Sequence, residues 1–401
     1  MLLYWIWFAE VLDVPQWLKQ ALLDEFHDPE EIYFAKPEAL CQVEGIEPEH
    51  LHALEDKNLG PAEEILKKCS KKNIKLLTIA DAAYPQKLKN ISDPPVVLYY
   101  RGILPDWEQM PAIGVVGTRK ASAYGLQAAR QMGGQIAACG GLVVSGCASG
   151  IDTKALEGAM EQDMPTVGVL GCGVDVIYPR TNRRLYSKIQ ERGCLISEYP
   201  PEEPPLGWHF LRRNRIISGI SDGVLVVEAP ARSGALNTAR HAREQGRDLF
   251  AVPANLGVAN FEGSNALLEE GAVAALSGWS VVRHYRELYP DGVKDPGEII
   301  VRNPERSIQK VAQQPVIPEN NMKNFIDNNE NSIYYRKSDN KEPALTHEET
   351  VVLSLLDRTP RHTDEVAAGA DLPFAKVQTI LTMLAVKGLV VFHSGGRVSI
   401  K

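Results

Sequence analysis

Between residues 112 and 283 the chain alternates short, unbroken apolar runs with stretches whose apolar residues recur every three or four positions. The runs are IGVVG (113–117), LVVSG (142–146), TVGVLG (166–171), CLISE (194–198), GVLVVEA (223–229) and DLFAVP (248–253). A strand that is apolar on both faces is buried on both faces, which is the mark of a parallel sheet covered by helices. The intervening AYGLQAARQMGGQIAAC and LNTARHAREQG carry the helical spacing. The pattern predicts an α/β core built on a doubly wound parallel sheet, where ligands bind beyond the carboxyl ends of the strands.

The flanks read differently. Over residues 1–83, VPQWLKQALLDEF and AEEILKKCSKK space their apolar residues helically, predicting a small helical N-terminal domain. The opening MLLYWIWFAEVLD lacks a basic leader, is interrupted by Glu10 and Asp13, and is too short to span a bilayer. It reads as a buried helix, and no stretch predicts membrane insertion. Residues 84–110 are punctuated by proline and extended, with VVLYY as a strand, so the core with its lead-in is expected over 84–283. Residues 284–343 lose the pattern, are rich in Asn, Gln, Pro and charge, and read as a linker. Residues 344–401 give three helices and a hairpin turned by two glycines, the outline of a winged helix.

Charge changes the picture once it is divided along the chain. The formal net charge is −8, and residues 1–83, with 8 Lys/Arg against 16 Asp/Glu, account for all of it. Residues 111–283 are nearly balanced, and within 176–215 eight basic residues face four acidic ones. A polyanion needs a basic patch rather than a basic total, and this segment supplies one. The six cysteines lie far apart with no CxxC pair, which argues against a metal site or a disulfide framework and fits a reducing, cytoplasmic setting.

Three strand ends run into small-residue turns that precede helices. Gly117, Thr118, Arg119 and Ser122 form the first, Ser145, Gly146, Ser149 and Gly150 the second, and Ser233 and Gly234 the third. Glycines permit close backbone approach, and amides at a helix N-terminus attract anions. On one sheet edge the three turns would line one crevice. The dinucleotide fingerprint GxGxxG and the P-loop GxxxxGK[ST] are both absent, so no nucleotide cofactor is expected. The histidines of this region, His209 and His241, do not assemble a Ser-His-Asp arrangement. Asp152 and Glu228 could form a carboxylate pair, or serve as a helix cap and a strand-end ion-pair partner. The segment HFLRRNRIISGIS places Arg212, Arg213 and Arg215 at what reads as a helix start, where the macrodipole disfavours cations. Their counter-anion is either a carboxylate, from Glu198, Glu202, Glu203 or Asp222, or a phosphate from outside.

The ordered segments VGTRKASAYG, VVSGCASGID, GVLGCGVDVIYPRTNRRLY, LISEYPP, FLRRNRIISGIS and EAPARSGALNTARHA resemble the DNA-processing protein A (DprA/Smf) family. The resemblance implies an extended Rossmann-like core between a helical N-terminal domain and a C-terminal winged helix. It also implies a non-enzymatic protein that binds single-stranded DNA, acts as a homodimer and helps load RecA recombinase during natural transformation or recombination. By the same resemblance Arg119 and the segment Arg212, Arg213, Asn214 and Arg215 would hold backbone phosphates, with Gly117, Thr118, Ser145, Gly146, Ser149, Gly150, Ser233 and Gly234 along the same groove. Phe210 would offer a stacking face to a base. The chain departs from the family's pattern at Leu156, Leu211, Ala254 and Ser264, none of which removes an arginine or a turn glycine. The winged helix is balanced, with six basic and six acidic residues over 344–401, and its expected recognition helix holds two lysines, which favours protein contact or accessory DNA binding. The alternatives are a phosphoribohydrolase-type nucleotide enzyme, whose expected acidic residue is missing from the Arg232–Asn237 turn, and a transcription factor reading duplex DNA.

Overall fold

A nine-stranded sheet organises the first part of the chain in a computed structural model that describes residues 1–297 and 347–400, except 358, 360, 371, 387, 388 and 394–396. Six helices come first: α1 (Leu2–Glu10), α2 (Gln16–Phe26), α3 (Pro29–Phe34), α4 (Pro37–Leu40), α5 (Pro48–Glu55) and α6 (Gly60–Lys71). The lead-in follows as β1 (Lys75–Thr78), α7 (Gln86–Lys89) and β2 (Val97–Gly102). The alternating region is β3 (Ala112–Val116), α8 (Ala123–Ala138), β4 (Leu142–Ser145), α9 (Ile151–Met160), β5 (Thr166–Leu170), α10 (Arg183–Arg192), β6 (Cys194–Ser197), α11 (Gly207–Ile220), β7 (Gly223–Val226), α12 (Gly234–Glu244), β8 (Asp248–Ala251), α13 (Glu262–Glu269), β9 (Val273–Ala274) and α14 (Gly278–Val282).

The strand order is β1-β2-β6-β5-β4-β3-β7-β8-β9. Pairings from β6 through β9 are parallel, while β1–β2 and β2–β6 are antiparallel. The chain winds outward from β3 through β4, β5 and β6, then returns to the other side of β3 with β7 and β8. The direction therefore reverses between β3 and β7, which is where a doubly wound sheet opens its ligand crevice. Strands β3 to β7 are buried along their whole length, as their uninterrupted apolar runs require.

The opening apolar segment is a helix with Trp5, Ile6, Trp7 and Phe8 buried. Its side chains belong to one continuous core with Leu98, Ile113, Val144, Ile196 and Val226 of the sheet. The N-terminal helices and the sheet thus form one compact unit, and β1, from within the first 83 residues, is an outer strand of that sheet. Residues 284–297, expected as the start of a linker, pack on this core through buried Tyr285, Tyr289 and Val293. Tyr285 donates to Asp248 at 2.8 Å and Tyr289 to Asp222 at 3.1 Å. The rest of the expected linker, 298–343, lies outside the described residues. No helix among the described residues is long and apolar enough to cross a membrane.

The second unit contains α15 (His347–Ser354), β10 (Arg361–His362), α16 (Thr363–Ala370), α17 (Phe374–Val386), β11 (Val390–His393) and β12 (Arg397–Ile400). Its antiparallel sheet has the order β10-β12-β11, and Val352, Val366, Val377, Leu381 and Val398 form its own core. This is a winged helix. The two-glycine turn of its hairpin lies outside the described residues. On α17, Lys376 is held by Glu348. Lys387 lies outside the described residues.

Candidate functional site

The turns after β3, β4 and β7 meet at the carboxyl edge of the sheet and are tied together by backbone bonds. The Thr118 amide donates to the Glu228 carbonyl at 2.7 Å, and the Ile151 amide to the Thr118 carbonyl at 3.4 Å. Gly150 has φ +84°, and a Cβ there would lie 2.5 Å from the Thr118 carbonyl oxygen, so only glycine lets the second turn sit on the first. Asn214 of α11 donates to the Gly234 carbonyl at 3.3 Å, which anchors the third turn. Between these turns and the start of α11 lies a cleft of about 400 Å³, with Thr118, Arg119, Phe210, Asn214, Ser233 and Gly234 among its walls.

The three turns differ in what they can still accept. The N-terminus of α8 is occupied from within, because the buried Glu228 carboxylate accepts from the Ser122 amide at 2.9 Å and the Ser122 hydroxyl at 2.7 Å. Asn260 donates to the same carboxylate at 2.7 Å. At α9 the Thr153 amide turns back to the Ala148 carbonyl at 3.2 Å, and Asp152 accepts from the Ala148 amide at 3.3 Å. At α12 the Ser233 hydroxyl accepts from the Ala235 amide at 3.3 Å while Gly234 stays exposed. The Leu236 amide is also used, by the Ser233 carbonyl at 3.1 Å, so all three expected anion turns are partly occupied from within the fold. Ser149 is also exposed, whereas Ser145 is fully buried and donates to the Val115 carbonyl at 2.6 Å.

The arginines separate into distinct roles. Helix α11 begins at Gly207, so Arg212, Arg213 and Arg215 stand beyond its first turn and the macrodipole conflict expected there does not arise. Arg213 shares the buried stripe of Ile217 and Ile220, at helical spacings of four and seven. It donates to the carbonyls of Gly146, at 2.8 Å, and Val169. Arg215, 4% exposed, pairs with Glu198 at 2.6 Å and Asp93 at 2.8 Å. Burial works against its charge, but the two carboxylates raise its pKa above the usual guanidinium value. Arg212 is the accessible member, with its side chain 37% exposed and 3.5 Å from Glu198. Arg213 and Arg215 are thus engaged with internal acceptors, which leaves Arg212 as the arginine of the segment that faces solvent.

Beneath the second turn, Gly146 is buried, and a Cβ there would lie 2.6 Å from an Arg213 nitrogen and 2.7 Å from an Asp152 oxygen. Burial pushes the Asp152 carboxyl from 3.8 up to about 6, with the Arg213 guanidinium pulling the other way. Between those values the folded chain holds this proton more tightly than the unfolded chain. The stability contributed is full below about pH 4 and lost as the pH rises through about 6. In urea unfolding from about pH 4.5 to about pH 7, wild type should lose about 2 kcal/mol relative to Asp152→Asn. Parallel pH profiles would refute this assignment.

At the rim stands Arg119, exposed and without an ion pair among the described residues, its guanidinium 5.1 Å from the Phe210 ring centroid. Phe210 is half-buried and lies 5.3 Å from the Tyr178 ring at 34°, which makes a small aromatic shelf. Lys120 and Arg232 are likewise exposed and free of ion pairs among the described residues. So are Arg180, Arg183 and Arg184 on the segment that follows Tyr178. Of these cations only Arg119 was among the site residues expected from the sequence, and Arg180, Arg183 and Arg184 entered only through the basic segment 176–215. The adjacency of Arg119 to Lys120 and of Arg232 to Ser233 was the available signal, and that of Tyr178 to Phe210 was not local in sequence.

Fold and site define a doubly wound α/β protein with a cation-rimmed cleft at its switch point. A family model described as DNA recombination-mediator protein A matches residues 75–286, and one described as DprA winged helix domain matches 336–396. Protein Smf of Synechocystis sp. is 32% identical over 98% of this chain and 97% of its own length. DNA processing protein DprA of Bacillus subtilis is 41% identical over 54% of this chain and 71% of its own. The X-ray structure of DNA processing protein A from Streptococcus pneumoniae covers 71% of this chain and 98% of that one, at 31% identity and a TM-score of 0.63. The chain belongs to the DprA/Smf family of DNA-processing proteins that act in recombination.

Proposed function

We propose that the cleft binds single-stranded DNA without chemical conversion, and that the protein, as a cytoplasmic homodimer, delivers this DNA to a RecA-type recombinase. The observation that carries the reading is Arg119, an unpaired cation held over an aromatic ring at the mouth of the cleft. An exposed cation beside an aromatic face suits a strand whose phosphates and unstacked bases are both accessible. In this reading Thr118, Arg119, Ser233 and Gly234 of the cleft, with Ser149 and Arg212 outside its walls, meet the backbone, Gly117 and Gly150 shape the turns, and Lys120 and Arg232 extend the positive rim. Arg213 and Asn214 line the floor of the cleft, and Ser145, Gly146 and Arg215 support it from below.

Against the enzyme alternative stand Glu228, whose carboxylate is locked by donors from Ser122 and Asn260, and the Arg232–Asn237 turn, which lacks the acidic residue a phosphoribohydrolase would carry there. The recombinase and dimer assignments rest on the family, whose model is described as a recombination mediator. On the winged helix, the one described lysine of α17 is tied to Glu348, which favours protein contact. Incubation with nucleoside monophosphates should release no free base, while fluorescent oligo-dT should bind; base release without oligonucleotide binding would reverse the assignment.

A further inference from the structure

The start of α11 presents a second aromatic outside the cleft. Trp208 is 56% exposed, and its indole N–H has no partner among the described residues. Edge-on contacts fix the ring: 4.0 Å and 72° to His209, and 6.4 Å and 83° to Tyr199. Both contacts are of the edge type, so neither neighbouring ring is stacked parallel on the indole, which keeps more than half of its surface exposed. His209 is 2% exposed and stacks on Tyr199 at 3.9 Å, so the support beneath Trp208 is rigid.

Position along the helix links this residue to the cleft. Leu211, three residues on, is 51% exposed and is also a wall of the cleft. Arg212, four residues on, is the accessible arginine of the segment. Residues at these spacings are surface neighbours on a helix. The helix begins where the chain leaves the carboxyl end of β6, on the same edge of the sheet as the three turns. A strand leaving the cleft across Leu211 would therefore meet the exposed indole with a cation beside it.

We propose that Trp208 is a second base-stacking platform for single-stranded nucleic acid, with Arg212 holding the adjacent phosphate. The inference rests on the reading of the cleft, and its test separates the two. Oligo-dT of about four nucleotides, enough for the cleft, and of about twenty are titrated against the full chain and its variants. Trp208→Ala should leave the short ligand's affinity unchanged and weaken the long one roughly tenfold, with Trp208→Phe retaining most of the binding. The intrinsic fluorescence quenched by the long ligand should shrink in Trp208→Phe. Arg119→Ala, by contrast, should weaken both lengths, so an unchanged Arg119→Ala with a weakened Trp208→Ala would sink the cleft reading alone. Equal affinity of wild type and Trp208→Ala for the long ligand overturns the platform and leaves the exposed indole to a protein contact.

Discussion

Replacing Arg215 by alanine should destabilise the protein by about 3–5 kcal/mol, because removal of one partner strands buried charge. Glu198, with 11% of its side chain exposed, would lose the 2.6 Å contact that neutralises it, and Asp93 would lose its own at 2.8 Å. The buried Lys19 of α2, whose ammonium burial lowers to about 8, also senses Glu198. The loss would therefore also be felt at Lys19 in the N-terminal helices. Urea unfolding measures the effect directly. A contact to DNA phosphate would show itself differently, as weaker binding with a shallower salt dependence and unchanged stability. For Arg215→Ala the expected pattern is the reverse: a lower unfolding midpoint, and an unaltered salt slope for the protein that remains folded.

Arg119→Ala should give that other pattern. The side chain is exposed and unpaired, so its removal costs little stability, in the range of ordinary surface substitutions. If it neutralises one phosphate, the slope of log affinity against log salt should fall by about 0.7, the increment for a single strand. Affinity should drop across all sequences alike, because a phosphate contact carries no base information. Phe210→Ala makes a useful contrast. Loss of a stacking face should cost about 1–3 kcal/mol per base and leave the salt slope unchanged. Together the two variants divide the cleft's affinity into an electrostatic part and a stacking part.

The sheet was largely legible because its central strands are buried on both faces and so appear as apolar runs. The two outermost strands were not. β1 is KLLT with a partly exposed start, and β9 is two exposed residues, so neither has a run to detect. The glycine turns could be read because they fall where strands end, and topology does bring them to one edge. What could not be read was which of their amides are already used, since that depends on Glu228, more than a hundred residues from Ser122. The arginines show the same limit. Arg215 finds Asp93 at a separation of 122 residues, and no local pattern announces that pair. Arg213 was more accessible to inference, because the spacing to Ile217 and Ile220 already places it on the buried stripe once α11 is phased from Gly207.

We propose that an exposed cation over an aromatic shelf, in the crevice of a doubly wound sheet, holds single-stranded DNA. Its most direct test is a titration of wild type and Arg119→Ala with single- and double-stranded oligonucleotides of one sequence at two salt concentrations. Wild type should bind the single strand more tightly than the duplex, and Arg119→Ala should bind it more weakly, with a salt slope reduced by about 0.7. Identical affinities and slopes for the two proteins would contradict it.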